Sequence, residues 1–195
     1  MKQGLRQSII AARLKISAQE RHRLSQQITA RITGLEAYQS ANIVLGYLNF
    51  GAEFSAEILL RQAIGDGKQV LLPKVNAATR QLDIYRVGDL EKDVAPGLWN
   101  IREPLPERCT LVEDLACIDI IVLPGVAFSR DGARLGYGGG FYDKLLARLT
   151  HRPALVAAAF ALQLVESIPQ EATDCKVECL VSEYETVYCA EKIQR

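Results

Sequence analysis

Apolar positions along the chain switch between a helical period and short continuous runs. In residues 1–34, Leu5, Ile9, Ala12 and Ile16 fall on one helical stripe, and Leu24, Ile28 and Ile32 form the next. Ser17-Ala-Gln-Glu20 lies between them with the residue types of a capping box, so one helix should stop and a second restart there, ending at Gly34. Asn42 to Leu48 is a short apolar run that predicts a strand, followed by the turn Asn49-Phe-Gly-Ala-Glu53. Ser55 is placed to cap a helix through Ile58, Leu59 and Ile64, which Gly65-Asp-Gly67 ends. Gln69 to Pro73 predicts the next strand. A strand, helix and strand at this short spacing imply a parallel pair with a crossover helix.

Residues 80–87 alternate between polar and apolar and predict a half-exposed strand. Residues 88–108 are irregular, carrying Pro96, Pro104, Pro106 and the sole Trp99, which either packs a loop or offers a flat ligand a stacking face. Ile118 to Leu123 is apolar throughout and is cut off by Pro124-Gly125, the pattern of a buried strand. Leu145, Leu146 and Leu149 give Phe141 to Leu149 helical spacing. Beyond it come a strand at Ala154 to Phe160, a loop over Ile168 to Asp174, and two short strands at Glu178 to Ser182 and Thr186 to Cys189. There is no repeat, low-complexity tract or linker. The class is therefore α/β, a mostly parallel sheet flanked by helices in a Rossmann-like three-layer single domain over residues 1–195. Such sheets bind ligands outside the carboxyl ends of their strands, so the loops after Leu48, Pro73, Leu123 and Phe160 should wall one cleft, with Glu53 and Lys74 as polar contacts.

Composition narrows the chemistry only a little. A formal net charge of zero argues against a general nucleic-acid or membrane binder. The charge is uneven, however: residues 1–23 hold Lys2, Arg6, Arg13, Lys15, Arg21 and Arg23 against Glu20 alone, six positive and one negative, or +5. That segment either meets an anion or is a solvated helix face. The five cysteines form no Cys-x-x-Cys pair, and no histidine lies near Cys175 and Cys179 to complete a metal set, which fits a reducing, cytoplasmic setting. No apolar run approaches a membrane span.

Chemistry concentrates between the apolar run and the following helix. Gly132, Gly136, Gly138, Gly139 and Gly140 lie there with Arg130 and Arg134. Glycines let backbone amides approach a ligand, arginines add fork-shaped donors, and a helix start adds partial positive charge, so the stretch suits a phosphate chain. Asp143 either holds Mg²⁺ beside phosphate oxygens or simply favours the helix N-terminus. The stretch contains no P-loop motif, and Phe141 stands where the dinucleotide fingerprint has its last glycine, so a Walker-type NTPase and an ordinary NAD site are disfavoured.

The run Leu-Pro-Gly-Val-Ala-Phe-Ser-Arg-Asp-Gly-Ala-Arg-Leu-Gly-Tyr-Gly-Gly-Gly-Phe-Tyr-Asp, ending at Asp143, closely resembles the signature of 5-formyltetrahydrofolate cyclo-ligases (methenyltetrahydrofolate synthetases). The likeness covers essentially the whole chain. Lys2-Gln-Gly-Leu-Arg6 resembles that family's nucleotide-contacting N-terminal helix, and Leu48 to Glu53 its folate turn. Trp99-Asn-Ile101 resembles its aromatic segment, and Asp174-Cys-Lys-Val-Glu178 its acidic stretch. The resemblance implies conversion of 5-formyltetrahydrofolate to 5,10-methenyltetrahydrofolate with MgATP consumed, by a monomer or weak homodimer. It implies catalytic roles for Arg134 and Asp143. ATP contacts would come from Lys2, Arg6, Arg134, Leu135, Gly136, Tyr137, Gly138, Gly139, Gly140, Phe141 and Tyr142. Folate contacts would come from Leu48, Glu53, Trp99 and Tyr142, and Mg²⁺ ligands from Asp143 and Asp174. Tyr137 and Gly139 stand where some relatives are basic, which shifts the phosphate charge to Arg134 and the N-terminal basic residues. Glu178 stands where many members have Asp. Two other readings are a sugar-phosphate isomerase-like enzyme, active without ATP, and a nucleotide-binding module without turnover.

Overall fold

The computed structural model describes residues 2–171 and 174–189, with Trp99 described by its backbone alone. The helices are α1 (Lys2–Leu14), α2 (Ala18–Thr33), α3 (Glu36–Ser40), α4 (Ala56–Gly65) and α5 (Phe141–Leu146). The strands are β1 (Ile43–Leu45), β2 (Gln69–Asn76), β3 (Gln81–Val87), β4 (Val94–Pro96), β5 (Arg102–Pro104), β6 (Thr110–Leu111) and β7 (Ile120–Leu123). They continue with β8 (Ala127–Ser129), β9 (Arg134–Leu135), β10 (Ala154–Ala158), β11 (Leu164–Val165), β12 (Cys179–Val181) and β13 (Thr186–Tyr188).

The main sheet runs β13-β12-β10-β7-β1-β2-β3-β6. Its middle, from β12 to β2, is parallel, with Val44 registered on both Val70 and Ile120. Its edges β13, β3 and β6 are antiparallel. The strands read as continuous apolar runs because both faces are covered. Val44, Val70, Leu72, Ile120, Val122, Val156 and Val181 point into one core with Leu59 and Leu60 of α4 and Ile28 and Ile32 of α2. Their alternates Leu45, Leu71, Ile121, Leu123, Ala157 and Leu180 point to the other, where Leu145 of α5 packs. This is the α/β sheet, flanked by helices, that the pattern predicts.

The order in which strands are added reverses at β1. The chain steps from β1 to β2 on one side, and the later strands β7, β10 and β12 build outward on the other. The gap between the carboxyl ends of β1 and β7 is therefore a topological switch point, where open α/β sheets bind ligands.

Several local expectations are corrected. Ser17 Oγ accepts from the Glu20 amide at 3.1 Å, but the Glu20 carboxylate turns to the Arg23 guanidinium, so half of the capping box forms. Ser55 starts α4 without a side-chain cap, its own amide donating to Ser25 Oγ at 3.0 Å. The irregular stretch after residue 88 contains the antiparallel pair β4–β5, with Trp99 in the turn between them.

The largest correction concerns the glycine stretch, which is not one loop from strand to helix. It first forms a three-stranded sheet, β11-β8-β9, and α1 lies over that sheet with Ile9 packed among Val126, Ala127, Ala133, Leu135 and Ile168. Gly132 makes the β8–β9 turn at φ +88°, and a Cβ there would sit 2.4 Å from the Val177 carbonyl oxygen. Only residues 136–140 remain as a loop. The helix after it closes at Leu146 rather than Leu149, too short for its dipole to contribute much.

Candidate functional site

A cleft of about 1170 Å³ opens at the switch point. Tyr47, Leu48, Phe50 and Glu53 wall it after β1, Pro73 and Val75 on β2, and Pro124 after β7. The loop after Phe160 is not a wall: Gln163 is buried, and its Nε2 donates to the Gly125 and Val126 carbonyls, both at 3.0 Å, propping the neighbouring loop from behind. Lys74 does not line it either, but its Nζ lies 3.4 Å from the carboxylate of Glu103, which does.

Charge collects at one end. Arg134 leaves β9 with its side chain only 5% exposed, donating from Nη2 to Asp143 Oδ1 at 2.6 Å and from Nη1 to the Pro124 carbonyl at 3.3 Å. Its Nε is buried without a partner. Lys2 Nζ reaches Glu171 at 2.9 Å and Asp174 at 3.1 Å. Those bonds hold the Lys2 ammonium above its ordinary pKa, Glu171 contributing most. Asp174 is held below the usual carboxylate range, first by the Glu171 amide at 2.9 Å and then by Lys2. Arg130, expected beside Arg134, faces away and pairs with Glu185 at 3.0 and 2.5 Å.

The loop Gly136–Gly140 lies between this charged end and the β1 turn. Gly138 and Gly140 have φ of +105° and +66°, left-handed values that keep side chains out of the backbone's way. Arg6 Nε donates to the Gly136 carbonyl at 2.7 Å. Leu135 turns its side chain into the core under α1, so its contribution to a ligand is main-chain.

Another part of the lining is largely apolar and aromatic, with Leu48, Phe50, Leu82, Leu98, Ile101 and Tyr142, and carries the polar Arg80, Arg102 and Glu103 beside them. Burial pushes the Tyr142 hydroxyl well above its ordinary pKa. Glu53 sits here, 4% exposed, its Oε2 accepting from the Phe50 amide at 2.7 Å and its Oε1 from the Tyr137 hydroxyl at 2.5 Å. Burial raises the Glu53 pKa, opposed by those two bonds and by Arg13 nearby.

A model of the 5-formyltetrahydrofolate cyclo-ligase family matches residues 1–183. The chain belongs to that family. Mouse 5-formyltetrahydrofolate cyclo-ligase is 30% identical over 185 residues, 91% of each chain. A probable 5-formyltetrahydrofolate cyclo-ligase of Caenorhabditis elegans is 29% identical over 96% of this chain and 95% of its own. The NMR structure of 5,10-methenyltetrahydrofolate synthetase from Aquifex aeolicus superposes with a TM-score of 0.85 at 29% identity, covering 100% of this chain and 95% of that one. A 5,10-methenyltetrahydrofolate synthetase from Mycoplasma pneumoniae has a TM-score of 0.73 at 22% identity, a likeness of fold alone.

The site residues that the cyclo-ligase resemblance names fall around this one cleft. Lys2, Arg6, Leu48, Glu53, Arg134, residues 135–143 and Asp174 all border it. The Trp99 side chain lies outside the described atoms. Glu178 stands apart at the far, amino-terminal end of β10, its carboxylate accepting from the Leu155 amide at 3.3 Å.

Sequence reasoning missed Arg13, Phe50 and Glu171. Arg13 had a signal: Lys2, Arg6, Ile9 and Arg13 fall on one face of α1 at offsets of four, three and four. Of these, Arg13 alone is counted in the sequence reading only as part of the net charge.

Proposed function

We propose that this protein cyclises 5-formyltetrahydrofolate to 5,10-methenyltetrahydrofolate, consuming ATP in the presence of Mg²⁺ and releasing ADP and phosphate. The carrying observation is one cleft that brings Lys2, Arg6, Arg134 and the glycine loop together with an apolar wall of Leu48, Phe50, Leu82, Leu98, Ile101 and Tyr142 and the buried carboxylate of Glu53. A volume of about 1170 Å³ exceeds the range of roughly 300–1,000 Å³ that suits one ligand. It accommodates a nucleotide and a flat second substrate side by side.

In this reaction the formyl oxygen attacks the γ-phosphorus and ADP leaves. N10 of the folate then bonds to the activated carbon, loses its proton, and phosphate departs from that carbon. Such transfer needs alignment and charge neutralisation more than a protein nucleophile. Arg134, Arg6 and Lys2 supply the positive charge, and the amides of residues 138–140 line the phosphate path. Leu48, Phe50 and Tyr142 hold the pterin, excluding water from the reacting carbon, and Trp99 is proposed to join them. Glu53 orients the ring from its buried position.

The donor set suits Mg²⁺, because Asp143 and Asp174 are hard carboxylates at the end where phosphate oxygens would arrive. Among the described residues there is no cluster of three or more His, Cys, Asp or Glu that could hold a metal ion. When bound, the ion would neutralise charge on the β- and γ-phosphates.

The reading extends to one domain acting in the cytoplasm as a monomer or weak homodimer. No helix of the described residues is long and apolar enough to cross a membrane. Of the exposed large apolar residues, Phe50, Leu98 and Tyr137 border the cleft, while Leu14, Leu111, Tyr184 and Tyr188 lie outside it.

The deciding assay follows the absorbance of the methenyl product from purified protein with 5-formyltetrahydrofolate and MgATP. Product that requires both ATP and Mg²⁺ establishes the reaction. ATP binding without product would identify a nucleotide-binding module, and turnover without ATP an isomerase-like enzyme.

A further inference from the structure

Between Gly136 and Gly140 the loop carries one side chain, that of Tyr137. Four glycines in five residues make this segment costly to order, since each loses more conformational freedom than any other residue type. A nucleotide that needs the loop amides aligned must meet that cost unless something ties the loop down beforehand.

Tyr137 is such a tie. Its hydroxyl accepts from Arg13 Nη2 at 2.7 Å and donates to Glu53 Oε1 at 2.5 Å, so the bonds run in one direction from guanidinium through phenol to carboxylate. Its ring also meets Phe50 edge-on, with centroids 6.4 Å apart. Arg13 is 3% exposed, with Nε and Nη1 buried and unpartnered, and Nη1 lies 3.9 Å from Glu53 Oε1. A buried arginine left this incomplete depends on Tyr137 and Glu53 for most of its compensation. Glu53 and Tyr137 both border the cleft, whereas Arg13 lies behind it.

We propose that Tyr137 is a positioning residue that couples the two ends of the cleft. Its hydroxyl, anchored by Arg13, passes the ordering of the Glu53 turn to the glycine loop. A folate that settles against Leu48, Phe50 and Glu53 fixes the carboxylate, the carboxylate fixes the hydroxyl, and the hydroxyl fixes the loop. The ordering cost is met once for two ligands, which is positive cooperativity. This inference rests on the functional reading above.

The test is equilibrium binding of a non-hydrolysable ATP analogue with Mg²⁺, in the presence and absence of saturating 5-formyltetrahydrofolate. It is run on the parent protein and on Tyr137→Phe, which keeps the ring against Phe50 and loses the hydroxyl. In the parent, folate should tighten the analogue about tenfold, within the usual range of such couplings. In Tyr137→Phe the factor should fall to near one, whatever the change in binding of the analogue alone, because the coupling is the ratio of the two affinities measured on the same variant. Amide exchange at residues 138–140 gives a second readout: folate alone should slow it in the parent and leave it unchanged in the variant. Both ligands binding without coupling, or coupling that survives in Tyr137→Phe, overturns the proposal and leaves the functional reading intact. A parent that binds neither ligand overturns both.

Discussion

At the scale of single residues the site is a set of charges already balanced by one another. Arg134 is held by Asp143, and Lys2 by Asp174 and Glu171. On the proposed reading, an incoming nucleotide meets donors that are positioned before it arrives. Arg134→Ala should lower kcat/KM for MgATP by roughly 10²-fold, the scale of removing one preorganised donor. Arg134→Lys, which keeps the charge and loses the planar fork, should recover only part of that in steady-state kinetics. A second residue-scale prediction concerns Asp131. The Lys176 ammonium at 2.6 Å and the Ser129 hydroxyl pull its carboxyl down to about 2. A depressed carboxylate stabilises the fold above its unfolded pKa and loses that contribution as pH falls through the folded value. Asp131→Asn should therefore cost about 0.5 kcal/mol near pH 6, a solvent-screened pair's worth, and the difference should shrink between pH 4 and pH 2 in urea melts. Arg134 and Asp143 were legible in sequence because they sit within nine residues of each other beside glycines. The Arg13–Tyr137–Glu53 chain was not, because its partners lie 124 and 84 positions apart and no local pattern joins them.

At the scale of elements, the main strands could be read because each is buried on both faces and so appears as an unbroken apolar run. The β8–β9 pair was missed: three and two residues are too few to show a period, and Arg130 was grouped with Arg134 although the turn sends them in different directions. The glycines of this stretch consequently divide into two kinds. Gly132 is an architectural glycine, at φ +88° with the Val177 carbonyl where a side chain would go. Gly140, at φ +66°, has nothing within 4 Å of a built Cβ. Gly132→Ala should lose about 2–4 kcal/mol of stability in denaturant melts through strain and overpacking, with near-normal kinetics in the molecules that fold. Gly140→Ala should cost about 1–2 kcal/mol and should instead raise the KM for MgATP. If the two variants behaved alike, this division would be wrong.

At the scale of the whole molecule, ligands should act as braces. α1 lies on the small sheet rather than on the main one, and it presents Lys2, Arg6 and Arg13 to segments far along the chain. If a nucleotide is gripped from both sides as proposed, it binds the folded state alone, so MgATP at a hundred times its Kd should add about 2.7 kcal/mol, read as a rise in Tm. Chelating Mg²⁺ with EDTA should abolish most of that rise while leaving the ligand-free Tm unchanged. A full shift without the metal would remove Asp143 and Asp174 from its coordination.

The bond between Lys2 and Asp174 spans 172 positions. On a ribosome adding roughly 5–20 residues per second, the first helix waits about 10–35 s for its partner to be made. Until then the emerging chain has β1, β2 and their crossover helix but no closed nucleotide site. Helix α1 is thus made before most of the sheet and is among the last elements to find its place. If Lys2 and Asp174 hold ATP as proposed, a chain that has not yet reached residue 174 lacks the means to trap it.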